Sequence, residues 1–250
     1  MRKSLKRIGA LTCRNLKEIA RDPLSLALTF AMPLAMEILF YLAFHSAAPR
    51  FQMKYLAPGI VVFSQAFLTL FMGLLIALDR SSAFLTRLFV SKARSYEFIL
   101  SYALSAMPIA FVQFILFLLV GGIIDPSIFS VGMLFALLLS ILTAMTFVGL
   151  GVLFGCVCSE KSVGGVSSIV IAGQSVLSGM WFPLEGLPKG FVTFMDVLPF
   201  RNATMLVSNA SSGAPLTFAN YGQPALVVAA YTLVLFVAAI LAFKSKMKAK

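Results

Sequence analysis

Long apolar stretches, separated by short polar or basic segments, make up most of this chain. A helix needs about 20 apolar residues to cross the ~30 Å hydrocarbon core of a bilayer. Six stretches reach that length, at roughly residues 24–46, 56–78, 98–121, 129–155, 164–182 and 223–243. The pattern predicts an all-α integral membrane protein whose six transmembrane helices form a single domain over residues 1–250.

A shorter amphipathic pattern precedes the first stretch. Its apolar stripe recurs at near-helical spacing within residues 4–21 and consists of Leu5, Ile8, Thr12, Leu16 and Ile19. Basic side chains occupy the other faces, which predicts that residues 1–23 contain a helix lying at the membrane interface. A plain basic flank without a defined helix is the alternative that the sequence leaves open.

The segment between the fifth and sixth stretches, residues 183–222, is long and punctuated by proline and glycine. Within it, residues 189–197 and 200–210 carry short apolar patterns. We expect an external loop that contains two short re-entrant helices at the outer surface.

Composition and charge narrow the class further. Hydrophobic residues make up 60% of the chain and charged residues 12%, which excludes a soluble globule or a disordered chain. Most of the 20 lysines and arginines lie in the termini and in alternate loops; the opposite loops hold only Arg50, Lys54, Lys189 and Arg201. The positive-inside rule therefore predicts a multi-pass protein of the cell (plasma) membrane with both termini in the cytoplasm. It also explains the net charge of +11 without a nucleic-acid partner.

Glu37 is the only acid well inside a predicted span. A charged group there is costly and usually faces a cavity or a partner, so Glu37 is a candidate substrate site. The alternatives are that Glu37 is protonated, or that it bonds to a neighbouring helix for structure only.

The segment 79–97, between the second and third spans, is longer than a simple connection requires. Asp79 and Arg80 are interpreted as interfacial anchors. Phe84, Leu85, Leu88 and Phe89 then follow a helical pattern beside basic residues, which favours a short cytoplasmic helix that inserts into a groove on a partner protein. A helix lying flat on the anionic inner leaflet is the alternative.

Motifs of enzymes and metal sites are missing from the sequence. There is no phosphate-binding loop, nucleophile elbow or HExxH motif, so we expect no catalytic residues. With one histidine, His45, and the three cysteines Cys13, Cys156 and Cys158, we also expect no metal site. A membrane-embedded enzyme acting on lipid would need clustered acids, and the few acids are widely spread.

Three segments together resemble the permeases of type-2 ATP-binding-cassette (ABC) transporters. RNLKEIARDPLSLALTFAMPLAMEILF resembles their interfacial helix and first span, and AFLTRLFVSKAR resembles their cytoplasmic coupling loop. In that loop Leu88 and Ser91 match, whereas Thr86 and Lys92 replace the usual glutamate and proline. LSGMWFPLEGLPKGFVTFMDVLPFRNA resembles the end of their fifth span and the external re-entrant helices. The matching positions there are Ser178, Gly179, Phe182, Pro183, Leu187, Pro188, Leu198 and Pro199.

The resemblance implies a half-transporter. Two permease chains, identical or related, would pair in the lipid bilayer, and each would bind a separate ABC ATPase subunit that holds ATP and Mg²⁺; no cofactor is expected in this chain. The residues that would couple to the ATPase are Arg21, Leu85, Arg87, Leu88 and Phe89. Those that would line the substrate pathway are Glu37, Phe40, Phe67, Phe71 and Trp181.

Export fits the family better than import. The resemblance favours a drug-like, lipid or other amphipathic substrate, moved out of the cytoplasm or the inner leaflet. A polysaccharide or glycolipid exporter and a non-transporting membrane partner subunit are the alternatives.

Overall fold

The computed structural model describes residues 2–81 and 94–248, and within them every regular element is helical. The helices are α1 (Arg2–Ala20), α2 (Pro23–Phe44), α3 (Met53–Ser81), α4 (Ser95–Ile124), α5 (Val131–Val157), α6 (Glu160–Leu177), α7 (Lys189–Val197), α8 (Pro199–Ser212) and α9 (Gln223–Lys248). Two 3₁₀ turns, Pro49–Phe51 and Pro126–Ile128, and a π-helical turn, Phe218–Gly222, complete the described elements. The predicted all-α class is confirmed.

Five of the described helical segments are long and apolar enough to cross a membrane. They are α2, α3, α4, α5 and the segment Phe218–Ser245, which includes most of α9. The stretch predicted as the fifth span, residues 164–182, forms α6, whose 18 residues extend about 27 Å at 1.5 Å per residue. Its polar residues leave it outside the group of five, so the count of six stays a prediction.

Helix α6 ends five residues earlier than the sequence pattern predicts. Gly179 adopts a positive φ of 72° just after the helix, a conformation that glycine reaches at no steric cost and that commonly stops helices. The chain then turns towards α7 and α8, which confirm the two short helices expected in the loop 183–222. That these helices re-enter a membrane stays a prediction.

Helix α3 lies at the centre of the bundle and packs most closely on α5. Glycines permit this approach, since a Cβ added at Gly151 would lie 2.6 Å from the Thr69 carbonyl oxygen. A Cβ at Gly155 would meet the Gly73 carbonyl oxygen at 2.8 Å. Small residues let helices approach in this way within membranes, where van der Waals packing holds them together.

Buried amides add polar contacts between the same helices. Gln65 Nε2 donates to the Ser140 carbonyl oxygen at 3.0 Å, and Thr143 Oγ1 donates to Gln65 Oε1 at 2.7 Å. Gln113 Nε2 donates to the Ser64 carbonyl oxygen at 3.0 Å, which joins α4 to α3. Such hydrogen bonds fix the rotation of one helix against the next.

The two ends of the bundle differ in the elements that they carry. At one end, here called the α1 end, α1 lies beside the last turn of α3 and the first turns of α4. At the other, here called the far end, α8 packs against α3 and α5, with Leu206 and Val207 buried in the core. The candidate site residues that the structure describes lie at these two ends and along the helices between them.

Candidate functional site

An ion pair fixes α1 to the end of α3. Arg14 donates hydrogen bonds from both terminal nitrogens to the Asp79 carboxylate, with Nη2 2.6 Å from Oδ1. Tyr102 of α4 donates its hydroxyl to Asp79 Oδ2 at 2.6 Å. The hydrogen bond to Asp79 raises the pKa of the Arg14 guanidinium above its ordinary value. Asp79 is buried and joins three helices, a role that the interpretation as an interfacial anchor did not include.

Arg80, the other residue interpreted as an anchor, donates hydrogen bonds to backbone carbonyl groups at the end of α5. Its Nη1 donates to the carbonyl oxygens of Gly155 at 2.6 Å and Cys158 at 3.1 Å. The last carbonyl groups of a helix have no partner within the helix, and a basic side chain can supply one. Arg80 therefore ties the end of α3 to the end of α5.

A second buried acid fixes the beginning of α1. Glu97, in the first turn of α4, accepts a hydrogen bond from Ser4 Oγ at 2.5 Å and one from its own helix cap, the Arg94 backbone nitrogen, at 3.0 Å. Arg7 lies 3.4 Å from the same carboxylate. Both halves of α1 are thus bound to the spanning helices through acids that are almost completely buried.

The buried face of α1 differs from the predicted stripe. Ile8 and Ile19 are buried as expected, but Leu5 is 64% exposed. Asn15 is buried instead, and its amide faces Ser101 of α4. The polar side chains that bind α4 therefore share the inner face of α1 with the apolar ones.

A groove of about 370 Å³ opens at the α1 end, between the ends of α1 and α3 and the beginnings of α2 and α6. Its apolar wall comes chiefly from one face of α3 and consists of Phe71, Leu74, Leu75 and Leu78, with Ile19 of α1. Its polar rim consists of Glu18, Arg21, Asp22, Ser25 and Glu160. Arg21, predicted to contact an ATPase, therefore lies exposed on the rim of this groove.

A ladder of phenylalanines leads along α3 from the groove towards the far end. Phe71, Phe67 and Phe63 are spaced by four residues, which places them one above another on one face of the helix. The ladder covers about 12 Å at 1.5 Å per residue. Phe71 lines the groove at one end, and Phe63 meets Trp181 at the other, with ring centroids 6.0 Å apart.

The ladder ends in a group of rings that we call the far-end aromatic cluster. Phe40 of α2 stacks on Trp181, with centroids 4.3 Å apart, and on Phe51 at 5.8 Å. The cluster consists of Phe40, Phe44, Phe51, Phe63, Phe67 and Trp181. It joins α2, α3, the Pro49–Phe51 turn and the segment after α6. Three of the five residues predicted for a substrate pathway therefore lie together.

Glu37 lies one helical turn before Phe40 and is fully buried within the chain. Neither of its carboxylate oxygens has a hydrogen-bond partner among the described residues. A Cβ added at Gly121 of α4 would lie 3.5 Å from Glu37 Oε1 and 3.3 Å from the Ala57 side chain. The alternative in which Glu37 bonds to a neighbouring helix is not supported by the described contacts.

The comparison with known families settles what kind of protein carries this arrangement. Residues 6–211 match the family described as ABC-2 type transporter, which covers most of the chain. The chain belongs to this family. It is therefore a permease subunit of an ABC transporter, a multi-pass membrane protein that pairs with an ABC ATPase subunit. No curated protein matches the chain closely enough to indicate a substrate.

The far-end aromatic cluster of this ABC-2 permease includes two residues that the sequence did not single out. Phe63 and Phe51 belong to the far-end aromatic cluster but were not among the predicted pathway residues. The spacing of four between Phe63 and Phe67 was the available signal. No local sequence pattern indicated Phe51, because its ring reaches Phe40 only through the Pro49–Phe51 turn of the backbone.

The remaining predicted coupling residues, Leu85, Arg87, Leu88 and Phe89, lie outside the residues that the structure describes. Over residues 2–81 and 94–248, no group of three His, Cys, Asp or Glu side chains is placed to hold a metal ion. The coupling residues and the metal-free expectation both stay predictions.

Proposed function

We propose that this permease exports a drug-like, lipid or other amphipathic substrate from the cytoplasm or the inner leaflet of the cell membrane. The observation that carries the proposal is the apolar track formed by the groove, the phenylalanine ladder and the far-end aromatic cluster. A substrate with a large apolar part would leave the lipid and contact aromatic side chains along this track. A polysaccharide would instead need a path lined by hydrogen-bonding groups.

The energy source in this proposal is a separate ABC ATPase subunit that holds ATP and Mg²⁺. In this proposal that subunit catalyses ATP hydrolysis, and this chain supplies the transmembrane pathway without catalysing a reaction. Both termini would lie in the cytoplasm, which places the α1 end and its groove on the side of the ATPase.

Helix α1 and the segment that follows α3 would receive the motion of the ATPase. Arg14, Asp79 and Glu97 support this role, because they make α1 part of the same rigid unit as the ends of α3 and α4. A force on the outer face of α1 would then displace α3, which carries the phenylalanine ladder. Arg21, on the groove rim, lies where such a displacement would open or close the groove.

A second permease chain, identical or related, would complete the pathway. Helix α2 supports this, since its buried residues form only a narrow stripe of Thr29, Pro33 and Glu37. Leu39 and Leu42 on its outer faces are largely exposed. These faces would contact lipid or the second permease, and the substrate would move between the two chains beside α2 and α3.

The proposal is tested by purifying the chain in complex with its partner ABC ATPase subunit. We expect a stable complex whose ATPase activity rises at least about twofold when an apolar, drug-sized compound is added. Phe71→Asp in the groove wall should abolish the stimulation, whereas Phe194→Asp, on an exposed face of α7, should leave it intact. A complex whose ATPase activity responds to no apolar compound would favour a non-transporting partner subunit instead.

A further inference from the structure

We propose that the substrate of this site is an organic cation whose positive charge is paired with Glu37. The inference rests on the proposed function and narrows its substrate class. It is argued from the environment of Glu37 and from the neighbouring rings.

The first step is the missing partner of Glu37. A carboxyl group held in an apolar region without a hydrogen bond is unfavourable when neutral and far more so when charged. Buried polar groups in proteins are almost always satisfied, so an exception calls for an explanation. A ligand that supplies the missing charge or donor is the explanation that also fits a transport site.

The second step is that the described chain does not supply that charge itself. In α3 the basic residues, Lys54 and Arg80, stand near the two ends of the helix, and Lys54 is exposed. Glu37 Oε1 lies 3.5 Å from the Cβ position of Gly121, and the other side chains nearest to that position, those of Ala57 and Ile128, are apolar. A positive partner for Glu37 therefore has to come from outside the described residues.

The third step concerns the kind of cation. A metal ion such as Mg²⁺ or Ca²⁺ takes at least six oxygen ligands, and the apolar neighbours of Glu37 provide none from their side chains. Aromatic faces, in contrast, attract organic ammonium or phosphonium groups. Phe40 lies three residues after Glu37, which places their Cβ atoms about 5–6 Å apart on one side of α2. One bound cation can thus contact the carboxylate and the aromatic cluster together.

Access to Glu37 requires a movement of α2, because the carboxylate is sealed in this conformation. Pro33 lies one turn before Glu37 and cannot donate a backbone hydrogen bond, so the helix is weakened at that point. Only a narrow stripe of α2 is buried, the smallest buried share among the five candidate spans. Separation of α2 from α3 would therefore expose little buried surface. Outward bending of α2 at Pro33 would expose Glu37 beside Phe40.

The experiment uses Trp181, the only tryptophan of the chain, as a reporter inside the aromatic cluster. The full chain in phosphatidylcholine liposomes is titrated with tetraphenylphosphonium and, separately, with neutral triphenylphosphine oxide, while Trp181 fluorescence is recorded. Wild type should respond saturably to the cation. Glu37→Gln should weaken the apparent affinity for the cation at least 10-fold and that for the neutral compound less than twofold. Glu185→Gln, which removes an exposed acid, is the matched control and should change neither.

The inference is overturned if wild type shows no saturable response to the cation, or if Glu37→Gln affects both compounds alike. It is also overturned if Glu37→Gln fails to fold, since an unpartnered carboxylate makes no contact that glutamine would lose. Binding in this assay needs no ATPase. A chain that transports neutral compounds with ATP but shows no Glu37-dependent preference refutes the cation inference alone, whereas cation binding without transport refutes the exporter proposal.

Discussion

Arg14 of α1 and Asp79 of α3 lie 65 positions apart in the sequence and form a two-hydrogen-bond ion pair at the α1 end of the bundle. Asp79 is buried, and the Tyr102 hydroxyl donates a hydrogen bond to the same carboxylate. The pair makes α1 a fixed part of the helical bundle. In the proposed function, this contact would pass a displacement of α1 to α3, the central helix, which carries the phenylalanine ladder.

The first prediction concerns this ion pair. Arg14→Ala leaves the buried Asp79 carboxylate without its cation, and we expect a loss of about 2–4 kcal/mol in unfolding free energy, below the upper values for fully buried pairs because Arg14 is partly exposed. Thermal unfolding of the purified chain measures the loss. Lys17→Ala removes an exposed cation from the same helix and should leave the unfolding midpoint within about 1 °C.

The same pair of variants tests the coupling role. In complex with the ATPase, Arg14→Ala should reduce substrate-stimulated ATPase activity by more than half at a temperature where the chain remains folded. Basal ATPase activity should stay near the wild-type value. Equal stimulation in Arg14→Ala and wild type would show that α1 transmits nothing through Asp79.

The second prediction concerns the close approach of α3 and α5. Gly151→Ala places a methyl group 2.6 Å from the Thr69 carbonyl oxygen, so the helices must separate. We expect a destabilisation of about 1–3 kcal/mol from this overpacking. Gly164→Ala is the control, because nothing lies within 4 Å of its Cβ position. It should be neutral or stabilise α6 by up to about 1 kcal/mol, through the higher helix propensity of alanine.

The third prediction concerns the stack of Phe40 on Trp181. Phe40→Ala removes a ring whose centroid lies 4.3 Å from that of Trp181, which should let water or lipid headgroups reach the indole. We expect a red shift of the tryptophan emission by several nanometres and weaker substrate stimulation. Phe194→Ala, which removes an exposed ring of α7 outside the far-end aromatic cluster, should change neither the emission nor the stimulation. An unshifted emission in Phe40→Ala would mean that the stack does not form in the membrane.

Local sequence signals predicted the elements better than the site. Helices α7 and α8 were expected, because proline and glycine mark their limits and their apolar patterns are short. The end of α6 was placed too late, since the apolar run continues through Met180 and Trp181 although the backbone turns at Gly179. A hydrophobic run alone does not reveal a left-handed glycine.

The candidate site residues were singled out from the sequence where they share one helix or one pattern. Phe67 and Phe71 follow helical spacing, and Glu37 is conspicuous as an acid within an apolar stretch. The pairing of Arg14 with Asp79 was missed, because it depends on how α1 crosses α3. The burial of Asn15 in place of Leu5 has the same cause: α1 packs on a polar face of α4 rather than only on an apolar surface.

ATP-driven movement of an apolar compound against its gradient tests the central claim most directly. The chain and its ATPase are reconstituted in liposomes with the nucleotide-binding side outward, and accumulation of a fluorescent amphipathic compound in the lumen is followed after ATP is added. We predict accumulation above the equilibrium level with ATP. We predict no accumulation without ATP, with an ATPase variant that cannot hydrolyse it, or with Phe71→Asp in the groove. Uphill accumulation by the chain alone, or equal accumulation with the inactive ATPase, would contradict the account.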